Sequence, residues 1–214
     1  MSGGIDEQAT RELLVAFAAS LYARGFSVGS AGNISVRLDD GYLITPTNSS
    51  FGRLRAGQIS RLDTNFAHVG GEKPSKEVFM HRAFYTVRPA CGAVVHLHST
   101  MATAVGCLAD ADAERPIPPL TPYFVMRVGR TLPLVRYFRP GDPEMEPAIA
   151  AAAKGARAVL LANHGPVVSG RTLTDAVYAA EELEEAAKLY LLLRTANPRQ
   201  LTEAQVDDLL TTFR

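Results

Sequence analysis

The chain has 214 residues, of which 47% are hydrophobic and 21% charged, an ordinary balance for a soluble globular protein of one domain spanning 1–214. Its 22 basic residues offset 22 acidic ones, so no basic surplus points to nucleic acid, although a small anionic substrate needs only a few local donors. No apolar run approaches the roughly 20 residues that span a bilayer, and MSGGIDEQATRELL lacks the basic-then-apolar pattern of a signal peptide.

Residues 6–24 read as an amphipathic helix, with Leu13, Leu14, Phe17 and Leu21 at helical spacing and Gly25 placed to stop it. VGSAGN at 28–33 is a glycine-rich turn. ISVRL and YLIT flank Asp39-Asp40-Gly41 and predict a hairpin. TPTNSSFG at 45–52 is a loop by composition. A second helix is expected to start at Pro74-Ser75, because proline suits a first helical turn, and to end before Pro89. GAVVHLH at 92–98 reads as a buried strand, and RPIPPLTP at 115–122 as a loop. LVRY at 134–137 is a short strand, after which RPGDPEMEP leads into an alanine-rich helix. RAVLLAN at 157–163 is a further buried strand, followed by the turn HGP and the strand VVS. Thr174 to Thr195 forms one long helix, with Glu181, Glu182, Glu184 and Glu185 mostly on its wet face, and the tail after Pro198 holds one more short helix. Hairpins among the strands argue against a purely parallel arrangement. The expected fold is α/β, with a mixed, largely antiparallel sheet covered by helices on both faces.

Cys91 and Cys107 form no CxxC pair, read as buried structural thiols, and fit the reducing cytoplasm. The histidines carry more. His96 and His98 end an apolar strand, and alternate strand residues share a face, so the two imidazoles project together as zinc chelation requires. The pair alone equally suits two hydrogen-bonded histidines at a strand end. His164 adds a third imidazole just past another apolar strand, where α/β proteins commonly place sites. Three neutral imidazoles leave a coordination position open. Glu77 supplies a carboxylate near a helix start, either as a fourth ligand and base or as a plain helix-capping group. His68 lies in a polar segment and reads as solvated. His81, one helical turn after Glu77, shares its face and suits a packing role or a partner behind the ligands.

Three polar segments could meet around one anion: Gly32-Asn33, Thr47-Asn48-Ser49 and Ser75-Lys76. Amides, hydroxyls and free N–H groups at a helix start donate to phosphate, and Lys76 adds charge. No GxxxxGK[ST] loop or GxSxG elbow is present, so nucleotide hydrolysis and triad chemistry lack support.

Taken in order, GSAGNIS, ITPTNSS, KPSKE, VVHLHS and LLANHGPV resemble the class II aldolase/adducin family over about residues 10–195. The resemblance implies a three-layer αβα sandwich and a homotetramer with sites between subunits. It places one zinc ion per chain on His96, His98 and His164, and an acid/base carboxylate on Glu77. It places phosphate-binding roles on Asn33, Thr47, Asn48, Ser75 and Lys76, although similar sugar-phosphate aldolases carry glycine where Asn48 stands and serine where Lys76 stands. Tyr123 and Arg127, in TPYFVMR, are further candidates for touching substrate, the tyrosine from a neighbouring subunit. PTNSSFG, KPSKEV, HLHST, TPYFVMR and RPGD resemble the branch that decarboxylates 3-oxo-tetronate 4-phosphates. The implied chemistry is zinc-assisted loss of CO2 through an enediolate, giving dihydroxyacetone phosphate. A sugar-phosphate aldolase, an epimerase or dehydratase, and a non-catalytic adducin-like module are the alternatives.

Overall fold

The computed structural model describes residues 6–213. Its elements begin with helix α1 (Glu7–Ala23), the hairpin β1 (Asn33–Leu38) and β2 (Gly41–Ile44), and two short strands, β3 (Ser60–Leu62) and β4 (His68–Gly70). Helix α2 (Val78–Val87), strand β5 (Ala93–His96), and helices α3 (Thr100–Gly106) and α4 (Pro122–Arg127) follow. Strand β6 (Leu134–Val135), helix α5 (Met145–Ala153), strands β7 (Ala158–Leu161) and β8 (Gly165–Gly170), and helices α6 (Leu173–Leu193) and α7 (Glu203–Thr212) complete the described strands and α-helices. No described helix is long and apolar enough to cross a membrane.

The strands make one 8-stranded sheet in the order β4-β3-β2-β1-β5-β8-β7-β6. Every neighbouring pair is antiparallel except β6–β7. Period-2 alternation sorts the side chains to two faces. Ile34, Val36, Leu38, Ala93, Val95, Leu97, Ala158, Leu160 and Val168 join the core under α1, α3, α4 and α6. Val94, Val159, Leu161 and Val167 join a second core under α2 and α5. The mixed, three-layer α/β arrangement matches the expectation.

Local chemistry explains the boundaries. Asp6 caps α1 by accepting from the Gln8 and Ala9 amides at 3.0 and 3.2 Å, and Gly25, at φ 80°, ends it. A reciprocal Thr172/Asp175 capping box starts α6.

Several expectations need correction. Helix α2 starts at Val78, not at Pro74-Ser75, because Pro74 is held in an isolated bridge to Pro46 and the Ser75 amide bonds the Thr45 carbonyl. The 92–98 and 157–163 strands are shorter than expected, and of HGP only His164 lies in the turn, Ala162-Asn163-His164, while Gly165 and Pro166 already begin β8. The loop at 115–122 gives way to α4 at Pro122, with Thr121 capping it. Cys91 is buried as expected, but Cys107 is exposed beyond the end of α3. The acidic residues of α6 do not simply face water: Glu184 accepts from the Met101 and Ala102 amides at 2.8 Å each, and Glu181 pairs with Arg24.

Candidate metal centre

His96 ends β5 on the α2 side of the sheet and is fully buried. Leu97 points to the opposite core, so His98, two residues on, returns to the site side. His164 arrives from the turn before β8, which lies beside β5 in the sheet. Two glycines allow this convergence. A Cβ on Gly165, at φ 148°, would stand 2.3 Å from the Leu97 carbonyl oxygen. A Cβ on Gly32, at φ 84°, would stand 2.8 Å from the His96 carbonyl oxygen. GSAGN and NHGP therefore need glycine for backbone approach around the histidines.

The three imidazole centroids form a near-equilateral triangle with sides of 4.9, 4.9 and 4.8 Å. Glu77 sits at the start of α2, with Oε1 3.4 Å from His164 Nε2 and Oε2 3.7 Å from His96 Nε2. The His96 and His98 Nε2 atoms are 3.0 Å apart. One ligand atom from each of the four residues lies within 4.8 Å of the others. A tetrahedral ion with bonds of roughly 2.0–2.1 Å holds its ligand atoms about 3.3 Å apart, so the spacing suits one metal ion. The tautomer suits it too. His96 Nδ1 donates to the Pro166 carbonyl at 2.9 Å, which leaves the Nε2 lone pair facing the other ligands.

The electrostatics agree. Burial pushes the Glu77 carboxyl up, but His164, His96 and the Asn33 amide hold it well below the usual carboxylate range. Burial drives His96 down to about 3, so this imidazole is neutral. Burial also lowers His98. The donor set thus includes an ionised carboxylate and, in His96 and His98, imidazoles kept uncharged with a lone pair free for a metal.

The polar segments meet as expected. The Pro46–Pro74 bridge, the Thr47 amide on the Lys73 carbonyl and the Ser75 amide on the Thr45 carbonyl put 45–49 beside 73–77. Asn48 adopts a left-handed φ of 55° and is exposed. Ser75 Oγ accepts from the Glu77 amide, and Ser49 Oγ donates to the Pro46 carbonyl. Asn33 is buried; its Nδ2 donates to Glu77 Oε2 at 2.6 Å, so at least one amide hydrogen serves the carboxylate. Tyr123 is exposed on α4. Arg127 stacks on Tyr178 at 5.3 Å and faces Glu182, so its recorded contacts are with α6 and not with the histidines. His68 is exposed on β4, as a solvated histidine should be.

Sequence reading missed Ser35 and Tyr85, which join His81 behind Asn33. The available signal was the spacing: Glu77, His81 and Tyr85 recur every four residues on a helix, opposite Asn33 and Ser35 on alternate positions of a strand.

The model of the class II aldolase and adducin N-terminal domain matches residues 12–191. The chain is 49% identical to a 3-oxo-tetronate 4-phosphate decarboxylase of Haemophilus influenzae, covering 94% of this chain and 96% of that one. It is 38% identical to an L-fuculose phosphate aldolase of Escherichia coli over 78% of this chain and 75% of that one. The crystal structure of YgbL from Klebsiella pneumoniae superposes with a TM-score of 0.93 at 47% identity, over 96% of this chain and 100% of that one. An L-fuculose 1-phosphate aldolase structure gives 0.87 at 30% identity, over 96% of each chain. By matched length, fold and identity, the chain belongs to the class II aldolase and adducin N-terminal domain family.

Proposed function

We propose that this protein is a metal-dependent carbon–carbon lyase that converts a 3-oxo-tetronate 4-phosphate to dihydroxyacetone phosphate and CO2. The observation that carries the reading is the convergence of Glu77 with His96, His98 and His164, in a chain so similar to decarboxylases of that substrate. One zinc ion per chain, held by His96, His98 and His164, would supply Lewis acidity toward the negative charge that decarboxylation leaves on the substrate.

The carboxylate at C1 lies β to the C3 carbonyl. When the C1–C2 bond breaks, its electron pair passes into the C2–C3–O3 system and CO2 departs, so no base is needed to start. The reaction takes up one proton at C2. Glu77, ionised in the free site, receives that proton from solvent and delivers it to one face of C2. Its Oε2 is held by the Asn33 amide, which fixes the direction of delivery. Thr47, Asn48, Ser75 and Lys76, with the remaining Asn33 amide hydrogen, bind the 4-phosphate and anchor the substrate away from the reacting bond. Ser75 and Lys76 immediately precede Glu77, so phosphate binding and carboxylate placement are coupled through three consecutive residues.

The protein works as a cytoplasmic homotetramer of single-domain chains, with sites between subunits. Exposed Tyr123 suits contact with a neighbouring copy's substrate, and Arg127 on the same short helix steadies that surface. Similarity to fuculose phosphate aldolases supports one second reading, cleavage of a ketose phosphate to an aldehyde through the same enediolate. A panel of 3-oxo-tetronate 4-phosphates and ketose 1-phosphates decides. CO2 release from the former should dominate; aldehyde release from the latter as the main activity would make the chain an aldolase.

A further inference from the structure

Behind Glu77 and Asn33 lie three polar side chains, Ser35, His81 and Tyr85, that neither metal binding nor phosphate binding uses. Asn33 and Ser35 alternate on the α2 side of β1, and His81 and Tyr85 are spaced by four on α2. Their exposures are 3%, 2%, 1% and 5%, so water does not satisfy them. Asn33 Nδ2 lies 2.6 Å from Glu77 Oε2, and Asn33 Oδ1 lies 2.5 Å from His81 Nε2. His81 Nδ1 lies 2.7 Å from Ser35 Oγ, which lies 2.8 Å from the Tyr85 hydroxyl.

Donor and acceptor counting gives these bonds one direction. An ionised carboxylate only accepts, so Asn33 must turn its NH2 to Glu77 and its oxygen to His81. That oxygen needs a donor, so His81 carries its proton on Nε2. Burial keeps His81 neutral, at about 4. Its Nδ1 therefore accepts from the Ser35 hydroxyl, whose oxygen accepts from Tyr85. The opposite tautomer would require the Asn33 amide to flip and set its oxygen against the Glu77 carboxylate. The orientation of all these bonds is thus tied to whether Asn33 attracts or repels Glu77.

We propose that His81 is a positioning residue for Glu77, acting through Asn33, with its tautomer held by Ser35 and Tyr85. Its task is to fix which oxygen of Glu77 faces the metal and the substrate. The proposal deepens the decarboxylase reading and rests on it for its kinetic arm only, because zinc affinity tests it without turnover. A buried histidine serving packing alone would lower stability when replaced, with no effect on kcat or metal affinity.

The test compares His81→Leu, His81→Gln and Ser35→Ala with the full-length wild type. It measures kcat, KM, thermal stability, and zinc affinity by competition with a chromogenic chelator. His81→Leu removes the donor to Asn33 and should lower kcat and zinc affinity by about 10–100-fold each, with KM changed far less. His81→Gln restores an N–H toward Asn33 and should recover most of both losses. Ser35→Ala removes no bulk from the core, frees the tautomer, and should lose both in the same direction to a smaller degree. Wild-type kcat and zinc affinity in folded His81→Leu, or no recovery in His81→Gln, would overturn the proposal. Should His81→Leu fail to fold, Ser35→Ala decides: unchanged kcat and zinc affinity there overturn it too. If the wild type does not decarboxylate the substrate, the functional reading fails while the zinc affinities still decide the role of His81.

Discussion

Replacing Glu184 by alanine removes both acceptors that cap α3, the helix that begins two residues after His98. Ser99 stands at the N-cap position but makes no capping bond, so the Met101 and Ala102 amides depend on Glu184, at 2.8 Å each. A lost N-cap costs about 0.5–2 kcal/mol, and a hydrogen bond to a charged partner about 1.5–3 kcal/mol. The Glu184 side chain is half-buried, which moderates the upper figure, so the expected loss is about 1–3 kcal/mol. For a chain of this size each kcal/mol lowers Tm by about 2–4 °C, giving a fall of about 2–12 °C. Thermal unfolding followed by circular dichroism, at fixed protein and zinc concentration, reads it directly. Glu184→Gln keeps one acceptor oxygen and should fall between the two. A Glu184→Ala protein within about 1 °C of wild type would refute the reasoning and return this residue to a solvated face.

Three further outcomes are expected. Zinc content near one per chain should be lost along with turnover in His98→Ala, as read by elemental analysis; full occupancy and turnover would exclude His98 as a ligand. Lys76→Ala should raise KM for the phosphorylated substrate about 10-fold or more, the equivalent of one charge-assisted bond, with a smaller effect on kcat. Burial lowers His81 from its ordinary 6.5 to about 4, so below pH 6.5 the unfolded chain binds a proton that the folded chain refuses. Stability is therefore complete above pH 6.5 and falls as pH drops toward 4. Between pH 7 and pH 5 the metal-free wild type should lose about 2 kcal/mol more than His81→Gln in urea unfolding, and equal losses would contradict a neutral buried His81.

The site's histidines were legible because their signal is local. His96, His98 and His164 stand at or just past the ends of apolar strands, and Gly32 and Gly165 mark the backbone approaches that bring those ends together. The hairpin and the long helices were legible for a similar reason, through turn residues and periodicity. What escaped depends on tertiary partners. Pro74 has the chemistry of a helix start, but its bridge to Pro46 delays α2 to Val78. Strands β3 and β4 are three residues each and β4 is largely exposed, so neither carries an apolar alternation. Helices α3 and α4 have seven and six residues, too short for periodicity to show. Ser35 and Tyr85 look like ordinary polar positions until α2 covers β1 and makes them each other's partners.

Proton delivery by Glu77 is the point at which the metal centre, the hydrogen bonds behind it and the proposed reaction meet. Its most direct test is turnover of 3-oxo-tetronate 4-phosphate in D2O, with the product analysed by NMR for wild type and Glu77→Gln. The wild type should give dihydroxyacetone phosphate carrying one deuterium on the hydroxymethyl carbon, placed stereospecifically. Glu77→Gln should turn over about 10²–10⁴-fold more slowly and scramble the label. A random label from the wild type, or an unchanged rate and label from Glu77→Gln, would contradict the account.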